Sequence, residues 1–285
     1  MNHPQPSPAN PAGAPIQAHY GTEDLIRRVE AALAAAGLDR SPLDWSELAP
    51  LDQFHVRGLA ATRELAAGMH LAPGATVLDV GCGLGGPARH LAAVCAARVT
   101  GIDLSQPFVD VARMLARRTG QEAAVDYRQA DALDLPFAEA SFDHAWTQHV
   151  AMNIADRARF YREIHRVLKP GGLLAIYDVV GGEVAPVIFP VPWARGPEIS
   201  HLLTAEAMRR ALDQAGFQEV SWSDQSAAGL RWFEERKAAA RSAEAPSALG
   251  LHTVMGPEFP GMFANLRRNL AEGRIGLIQA IVRRG

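Results

Sequence analysis

Short apolar runs alternate with amphipathic stretches through the middle of this chain. The run Val77–Val80 is too short for a helix and rich in β-branched residues, so it predicts a buried strand. A glycine turn and a helix over residues 87–94 follow it, and five such strand–helix units precede a late pair of strands. This pattern is typical of an α/β protein with a doubly wound, seven-stranded sheet. The predicted strands cover residues 75–80, 98–102, 123–128, 144–147, 173–180, 217–222 and 274–282.

The first 70 residues carry no strand signal. Closely spaced prolines predict a disordered arm over residues 1–18, and apolar spacing then predicts helices over 22–36 and 53–69. Residues 19–70 are therefore a candidate N-terminal helical lid on the main domain, 71–285. Its polar and aromatic side chains either line a site or hold the lid on the sheet. These side chains are Tyr20, Trp45, Gln53, Phe54, His55 and Arg57.

Two segments after the fifth strand depart from the repeating pattern. Residues 181–200 form a proline-rich loop around Trp193, and 227–272 form a helical insertion before the last strand. A loop of that length is more often functional than a plain connection. The aromatic residues of the insertion either line a pocket for an apolar ligand or form a lid or homodimer contact. These residues are Trp232, Phe233, Phe259 and Phe263.

Composition excludes several classes of function. Apolar residues make up 48 % of the chain, the net charge is −3, and no basic block is present, so a nucleic-acid partner is not expected. No apolar run reaches membrane-spanning length, and the N-terminus lacks the pattern of a signal peptide. Cys82 and Cys95 are too few for a disulfide framework or a metal site. We therefore expect a cytoplasmic protein without a metal.

The glycine turn after the first strand is the strongest chemical signal. Gly81, Gly83 and Gly85 let the backbone turn sharply and approach a ligand closely. About twenty residues later, Asp103 ends the second strand, where a carboxylate can accept both hydroxyls of a ribose. The sequence thus predicts a nucleoside-containing ligand at the tip of the sheet. Because Gly86 completes a G-x-G-x-x-G pattern, NAD and another adenosine cofactor both remain possible.

Further motifs occur downstream in a fixed order. They are Val77–Gly85, Gly101–Ser105, Gln129–Ala132 with Leu135–Phe137, Ser141–Asp143 and Arg166–Gly172. With these motifs, the chain resembles the class I S-adenosylmethionine-dependent methyltransferases over roughly residues 71–222. The resemblance implies S-adenosylmethionine as the cofactor and a small-molecule methyl acceptor as the partner. An NAD enzyme has no need of Asp79 or Asp131.

The resemblance also implies roles for single residues. Asp79 orders the turn and the cofactor's ammonium group, Asp103 binds the ribose, and Asp131 accepts from the adenine amino group. The expected cofactor contacts are Asp79, Gly81, Gly83, Gly85, Asp103, Leu104, Asp131, Ala132 and Gln148.

His149 is the candidate catalytic residue because the end of the fourth strand should face the methyl group. A histidine there can orient the acceptor or take its proton. Alternatively, it caps the next helix or pairs with a backbone carbonyl.

The segments Phe54–Gly58 and Trp146–His149 look most similar to the group of sarcosine and dimethylglycine N-methyltransferases. This second resemblance implies an amine nitrogen as the acceptor atom. The alternatives are O- or C-methylation of a secondary metabolite, and a cofactor-binding protein without turnover. The expected acceptor contacts are Tyr20, Gln53, His55, His149 and Trp193.

Overall fold

The protein is built around one seven-stranded sheet. The computed structural model describes residues 24–242 and 248–285, so the predicted arm over 1–18 and Tyr20 lie outside the described residues. The strands are β1 (Thr76–Val80), β2 (Arg98–Asp103), β3 (Val125–Gln129), β4 (Phe142–Gln148), β5 (Leu168–Gly181), β6 (Phe217–Asp224) and β7 (Ile275–Arg284). Their order is β3-β2-β1-β4-β5-β7-β6, with β7 antiparallel to both neighbours and the other pairs parallel. The predicted α/β doubly wound sheet of seven strands is confirmed.

The described helices cover both faces of this sheet. They are α1 (Leu25–Ala35), α2 (Ala49–Asp52), α3 (Leu59–Met69), α4 (Gly86–Cys95), α5 (Gln106–Arg118), α6 (Arg157–Val167), α7 (Ala205–Gln214), α8 (Ser226–Ser242), α9 (His252–Met255) and α10 (Phe259–Ala271). On β1, Val77 packs into one core cluster and Leu78 into another. Burial on both faces explains why Val77, Leu78 and Val80 are all apolar although they do not share one face of the strand.

One local prediction was wrong. The helix predicted over 53–69 begins only at Leu59, because Arg57 (φ 69°) and Gly58 (φ 48°) adopt positive φ angles that end any helical run. Residues 53–58 are therefore a loop. Ser105, directly before α5, makes no capping bond with its side chain, and its backbone N–H donates to Asp103.

The strand order reverses between β1 and β4. On one side of this point the chain steps from β1 to β2 and β3, and on the other from β4 to β5. In doubly wound sheets, ligands bind outside the carboxyl ends of the strands at such a switch point. Asp143, at the amino end of β4, accepts from Thr76 N and Oγ1 and pairs with Lys169, so its role is structural.

Candidate active site

A cavity of about 940 Å³ opens at the carboxyl ends of β1, β2 and β4. This volume is near the upper end of the range for single-ligand pockets, so it accommodates a cofactor together with a second small molecule. The lid contributes Phe54, His55 and Val56 to the wall. The loop over 181–200 and the insertion over 227–272 contribute a further part of the wall.

The glycine turn divides into residues that face the cavity and one that does not. Gly81 (φ 76°) and Gly83 (φ 54°) line the cavity, and the space beside Gly83 is open to at least 4 Å. Gly85 (φ 77°) is not on the cavity wall, and a side chain there would overlap the Tyr127 hydroxyl. The structure therefore does not bring Gly85 to the predicted ligand. Its glycine identity follows from the packing of Tyr127 behind the turn.

Asp103 lies on the cavity wall with its carboxylate fixed by backbone amides. Gly83 N donates to Oδ2 at 3.0 Å, and Ser105 N donates to Oδ1 at 2.9 Å. Burial raises the pKa of this carboxyl, while the amide hydrogen bonds oppose the shift. Each carboxylate oxygen can accept a further hydrogen bond, so a pair of adjacent hydroxyls fits here.

A mostly apolar slot continues from Asp103 along the ends of β2 and β3. Leu104 and Phe108 lie on its wall, together with Asp131, Ala132 and Leu133. The Leu133 N–H donates to Asp131 Oδ1 at 2.9 Å, which fixes this carboxylate at the rim of the slot. An apolar slot with one oriented acceptor suits a flat heterocycle that carries an amino group.

Asp79 lies behind the wall and not on it. Its side chain is buried, and Oδ2 has no hydrogen-bond partner among the described residues. Burial, together with the nearby Asp103, raises the pKa of Asp79 to about 8. A buried oxygen without a partner is costly, and a cationic group close to the turn would lower that cost. The three carboxyl groups of Asp79, Asp103 and Asp131 thus fit an adenosine carrying a cationic amino-acid tail.

His149 follows β4 directly and borders the cavity. Its backbone has φ 52°, an uncommon conformation for a non-glycine residue that often occurs at functional sites. The backbone N–H of His149 donates to Tyr177 O at 2.8 Å. The centroid of its ring lies 5.1 Å from that of Tyr177 and 5.9 Å from that of His55. Burial, and secondarily His55, lowers the pKa of His149 well below its usual range. The imidazole is therefore neutral at neutral pH.

The alternative role for His149 as a helix cap is wrong. Asp156 caps α6 by accepting from Arg159 N at 2.9 Å, and the 3₁₀ helix Ala151–Asn153 has no side-chain cap. The His149 Nε2 atom is buried and has no hydrogen-bond partner among the described residues. The side chain of His149 is thus not used to stabilise a helix end.

A buried polar network supports the lid side of the site. His55 Nε2 lies 3.0 Å from Gly58 O and 3.3 Å from Gln148 Nε2, and both His55 and Gln148 line the cavity. Gln53 does not reach the cavity, because its Oε1 accepts from Thr62 Oγ1 at 2.6 Å inside the network. Gln53, expected to contact the acceptor, is a supporting residue instead. Desolvation lowers the pKa of His55 to about 4.

The part of the wall formed by the loop and the insertion is aromatic. Trp193 is buried, and its indole N–H donates to Ser200 Oγ at 3.0 Å. Phe263 packs 5.9 Å from Trp232 and 5.4 Å from Phe259 between ring centroids, and all three line the cavity. The pocket-wall interpretation of the insertion is therefore the one that the structure favours. Charged side chains on this side, Asp156, Arg159 and Glu198, are exposed at the rim.

Several wall residues were not predicted as site residues. They are Phe108, Val150, Met152, Asn153, Ile154, Ile199, Leu251 and Leu266. The residues after His149 could have been predicted from their position, because they follow the carboxyl end of β4. No local signal marks Leu251 or Leu266, which reach the cavity only through the packing of the insertion.

Comparisons with known proteins agree with this geometry. Residues 78–176 match the family model described as a methyltransferase domain. The O-methyltransferase cnsE of Penicillium expansum is 36 % identical over 182 residues, covering 63 % of this chain and 65 % of cnsE. The O-methyltransferase resE of Aspergillus sclerotiorum is 32 % identical over 183 residues, covering 63 % of this chain and 69 % of resE. The matched region thus spans slightly less than two thirds of cnsE and slightly more than two thirds of resE.

A solved structure covers nearly the whole chain. It is the crystal structure of the [4+2]-cyclase SpnF, with a TM-score of 0.66 and 28 % identity over 94 % of this chain and 96 % of SpnF. The matched family model and the two fungal relatives define the class. The chain belongs to the class I S-adenosylmethionine-dependent methyltransferases.

Within residues 24–242 and 248–285, no cluster of three or more histidine, cysteine or acidic side chains is arranged to hold a metal ion. No helix in those two ranges has the length and apolar character needed to cross a membrane.

Proposed function

We propose that this protein transfers the methyl group of S-adenosylmethionine to a hydroxyl oxygen of a small, largely apolar, ring-containing molecule. The observation that carries the proposal is the aromatic wall of the cavity that His149 also lines, formed by Trp193, Trp232, Phe259 and Phe263. Flat apolar molecules bind to such walls through burial and ring stacking. The similarity to cnsE and resE, both named O-methyltransferases, supports an oxygen acceptor.

The cofactor half of the cavity fits S-adenosylmethionine. Asp103 would hold the ribose, Asp131 the adenine amino group, and Asp79 the cationic end near Gly81 and Gly83. When bound, the cofactor supplies a methyl group on a positively charged sulfur, which is already a good leaving group. The protein then has to align the acceptor and exclude water.

His149 would act as the general base. As the acceptor oxygen bonds to the methyl carbon, the hydroxyl becomes strongly acidic, so even a base of lowered pKa can take the proton. Because His149 Nε2 is buried without a partner, we infer that Nδ1 faces the acceptor. The proton passes from the hydroxyl to this nitrogen, and water later removes it. Methylation of an amine nitrogen would not require such a base.

The amine acceptor expected from the sequence stays a prediction, but the wall offers little for a zwitterionic amine. Such an acceptor carries a carboxylate that needs a cationic partner. Among the described cavity residues, the one arginine is Arg159, and it lies exposed at the rim. No lysine lines the described cavity. The lining therefore favours the alternative, an apolar secondary metabolite.

The test is a panel of acceptors. The purified protein is incubated with S-adenosylmethionine and hydroxylated aromatic compounds, or with sarcosine and dimethylglycine, and S-adenosylhomocysteine formation is measured. We expect turnover with members of the first group. Turnover confined to the two amines would overturn the proposal. Cofactor binding without turnover on any compound would favour the binding protein without activity.

A second candidate function is cyclisation. It is favoured by the similarity to the [4+2]-cyclase SpnF over 94 % of this chain at 28 % identity. An apolar cavity that folds a flexible polyene would serve such a reaction by orientation alone. Mass spectrometry separates the two functions, because cyclisation leaves the mass of the substrate unchanged and methylation adds one methyl group.

Assembly and location are also proposals. We propose a homodimer, which the sequence left open, and a cytoplasmic location, and light scattering of the purified protein tests the first. A monomer at micromolar concentration would contradict it.

A further inference from the structure

The turn that carries His149 is hydrogen-bonded to the acceptor wall through the side chain of Asn153. The acceptor wall is the part of the cavity lined by Trp193, Ile199, Trp232, Phe259 and Phe263. Asn153 ends the 3₁₀ helix that follows His149, is only 8 % exposed, and lines the cavity. Its Nδ2 atom donates to Trp193 O at 2.8 Å and to Ile199 O at 2.8 Å. Both hydrogens of the amide are thus used on two carbonyls that lie six residues apart in the loop.

Both bonded residues belong to the acceptor wall. Trp193 and Ile199 each line the cavity, and the Trp193 indole is itself fixed by its bond to Ser200. One backbone bond reinforces the junction, from His201 N to Met152 O at 2.7 Å. A shift of the loop relative to the turn would break these bonds together.

The turn is fixed on its other side to β5. Asp178 is buried, and its Oδ2 accepts from Ala151 N at 3.0 Å, while His149 N donates to Tyr177 O. His149 and the aromatic wall therefore belong to one hydrogen-bonded frame, with Asn153 at its centre. Methyl transfer requires the reacting oxygen to be aligned within a fraction of an ångström. The position of the aromatic wall relative to His149 therefore decides how the acceptor is oriented.

We propose that Asn153 is a positioning residue that sets the acceptor wall against His149 and thereby determines which hydroxyl of a polyhydroxylated acceptor is methylated. This inference rests on the proposed function for the identity of the acceptor. Asn153 acts through Trp193 and Ile199, and no contact of Asn153 with the reacting atoms is required.

The test compares two asparagines that hold the same loop. Asn153→Asp keeps the shape of the side chain but cannot donate to Trp193 O and Ile199 O. Asn265→Asp is the matched control, because Asn265 Nδ2 donates to Pro190 O at 2.9 Å from outside the cavity wall. Asn153→Ala serves if the carboxylate prevents folding, and thermal unfolding checks each variant.

The probe is the tightest binder in a panel of dihydroxynaphthalenes with inequivalent hydroxyls, followed by tryptophan fluorescence. We expect Asn153→Asp to weaken its binding about tenfold or more, to change S-adenosylmethionine affinity less than about twofold, and to alter the ratio of the two monomethylated isomers. Asn265→Asp should retain the wild-type isomer ratio.

Three results would overturn the role of Asn153. They are a folded Asn153 variant with wild-type acceptor affinity and isomer ratio, an equal loss of cofactor affinity, and the same changes in Asn265→Asp. If the wild-type protein binds the probe but transfers no methyl group, the proposed function fails, and the affinity comparison still decides the role of Asn153.

Discussion

The cofactor half and the acceptor half of the cavity are held in place in different ways. In the cofactor half, Asp103 accepts from the backbone of Gly83 and Ser105, which are at most twenty residues away. In the acceptor half, the loop over 181–200 is held by Asn153 from one side and by Asn269 from the other, with Asn269 and Ile188 exchanging two bonds of 2.8 Å across 81 positions.

This difference predicts how substitutions act in each half of the cavity. The cofactor half is formed by strand ends and the turns next to them, so its geometry follows directly from the sheet. The acceptor half consists largely of insertions, which are held by side-chain and backbone hydrogen bonds between segments far apart in the chain. We therefore expect substitutions in the two halves to separate cofactor binding from acceptor recognition.

His149 lies between the halves, and its removal should have the largest effect. We expect His149→Ala to lower kcat by about 100-fold or more, because a general base contributes roughly 10²–10⁴-fold to rate. Steady-state kinetics with the best hydroxylated acceptor measures this change. Calorimetry should show S-adenosylmethionine affinity within about threefold of wild type. A variant with unchanged kcat would remove His149 from the mechanism.

The glycine turn allows a matched pair of substitutions. Gly85→Ala should lower the free energy of unfolding by about 3 kcal/mol, because the new methyl group overlaps Tyr127 and the residue has a positive φ. Gly83→Ala has open space beside it and should cost only about 1 kcal/mol from its φ. Urea denaturation compares the two. Equal losses would show that Tyr127 does not restrict Gly85.

A substitution of Asp103 should affect only the cofactor half of the cavity. Asp103→Ala should weaken S-adenosylmethionine binding about tenfold or more, equivalent to about 1.4 kcal/mol, because the ribose loses its acceptor. Asp126→Ala is the control, since Asp126 is exposed on β3 and pairs with Arg128. Calorimetric titration of both variants decides the assignment. Wild-type affinity in folded Asp103→Ala would contradict the ribose contact.

The buried histidine of the lid predicts a pH effect on stability. The pKa of His55 is lowered to about 4 in the folded protein, against about 6.5 in an unfolded chain. Between these values the unfolded state binds more protons, so the stability that His55 contributes above pH 6.5 is lost as pH falls toward 4.

The measurement is the difference in unfolding free energy between wild type and His55→Gln across this window. Wild type should lose up to on the order of 1 kcal/mol more per pH unit than the variant. Parallel curves for the two proteins would mean that His55 is not kept neutral by burial. Taking the difference removes the opposite contribution of Asp79, whose pKa is raised.

The sequence predicted the sheet and most of the cofactor half because both follow local patterns. Residues at strand ends, such as Asp103 and His149, line the cavity as position alone suggested. Gly85 and Gln53 do not line the cavity, and no local sequence pattern indicates this. Gly85 packs against Tyr127 from a different strand, and Gln53 bonds to Thr62 in the next helix.

The acceptor half could be predicted only as two unusual segments. Which of their residues face the cavity depends on contacts such as Asn269 with Ile188, and these leave no periodic signal in the chain. The aromatic residues of the insertion suggested a pocket wall, with a lid or homodimer contact as the alternative, and the packing of the insertion favours the wall.

The most direct test is a competition for the methyl group. The protein receives methyl-labelled S-adenosylmethionine with equal concentrations of a hydroxylated aromatic acceptor and sarcosine, and NMR identifies the atom that carries the label. We expect the label on the oxygen of the aromatic compound. Label on the sarcosine nitrogen would contradict it.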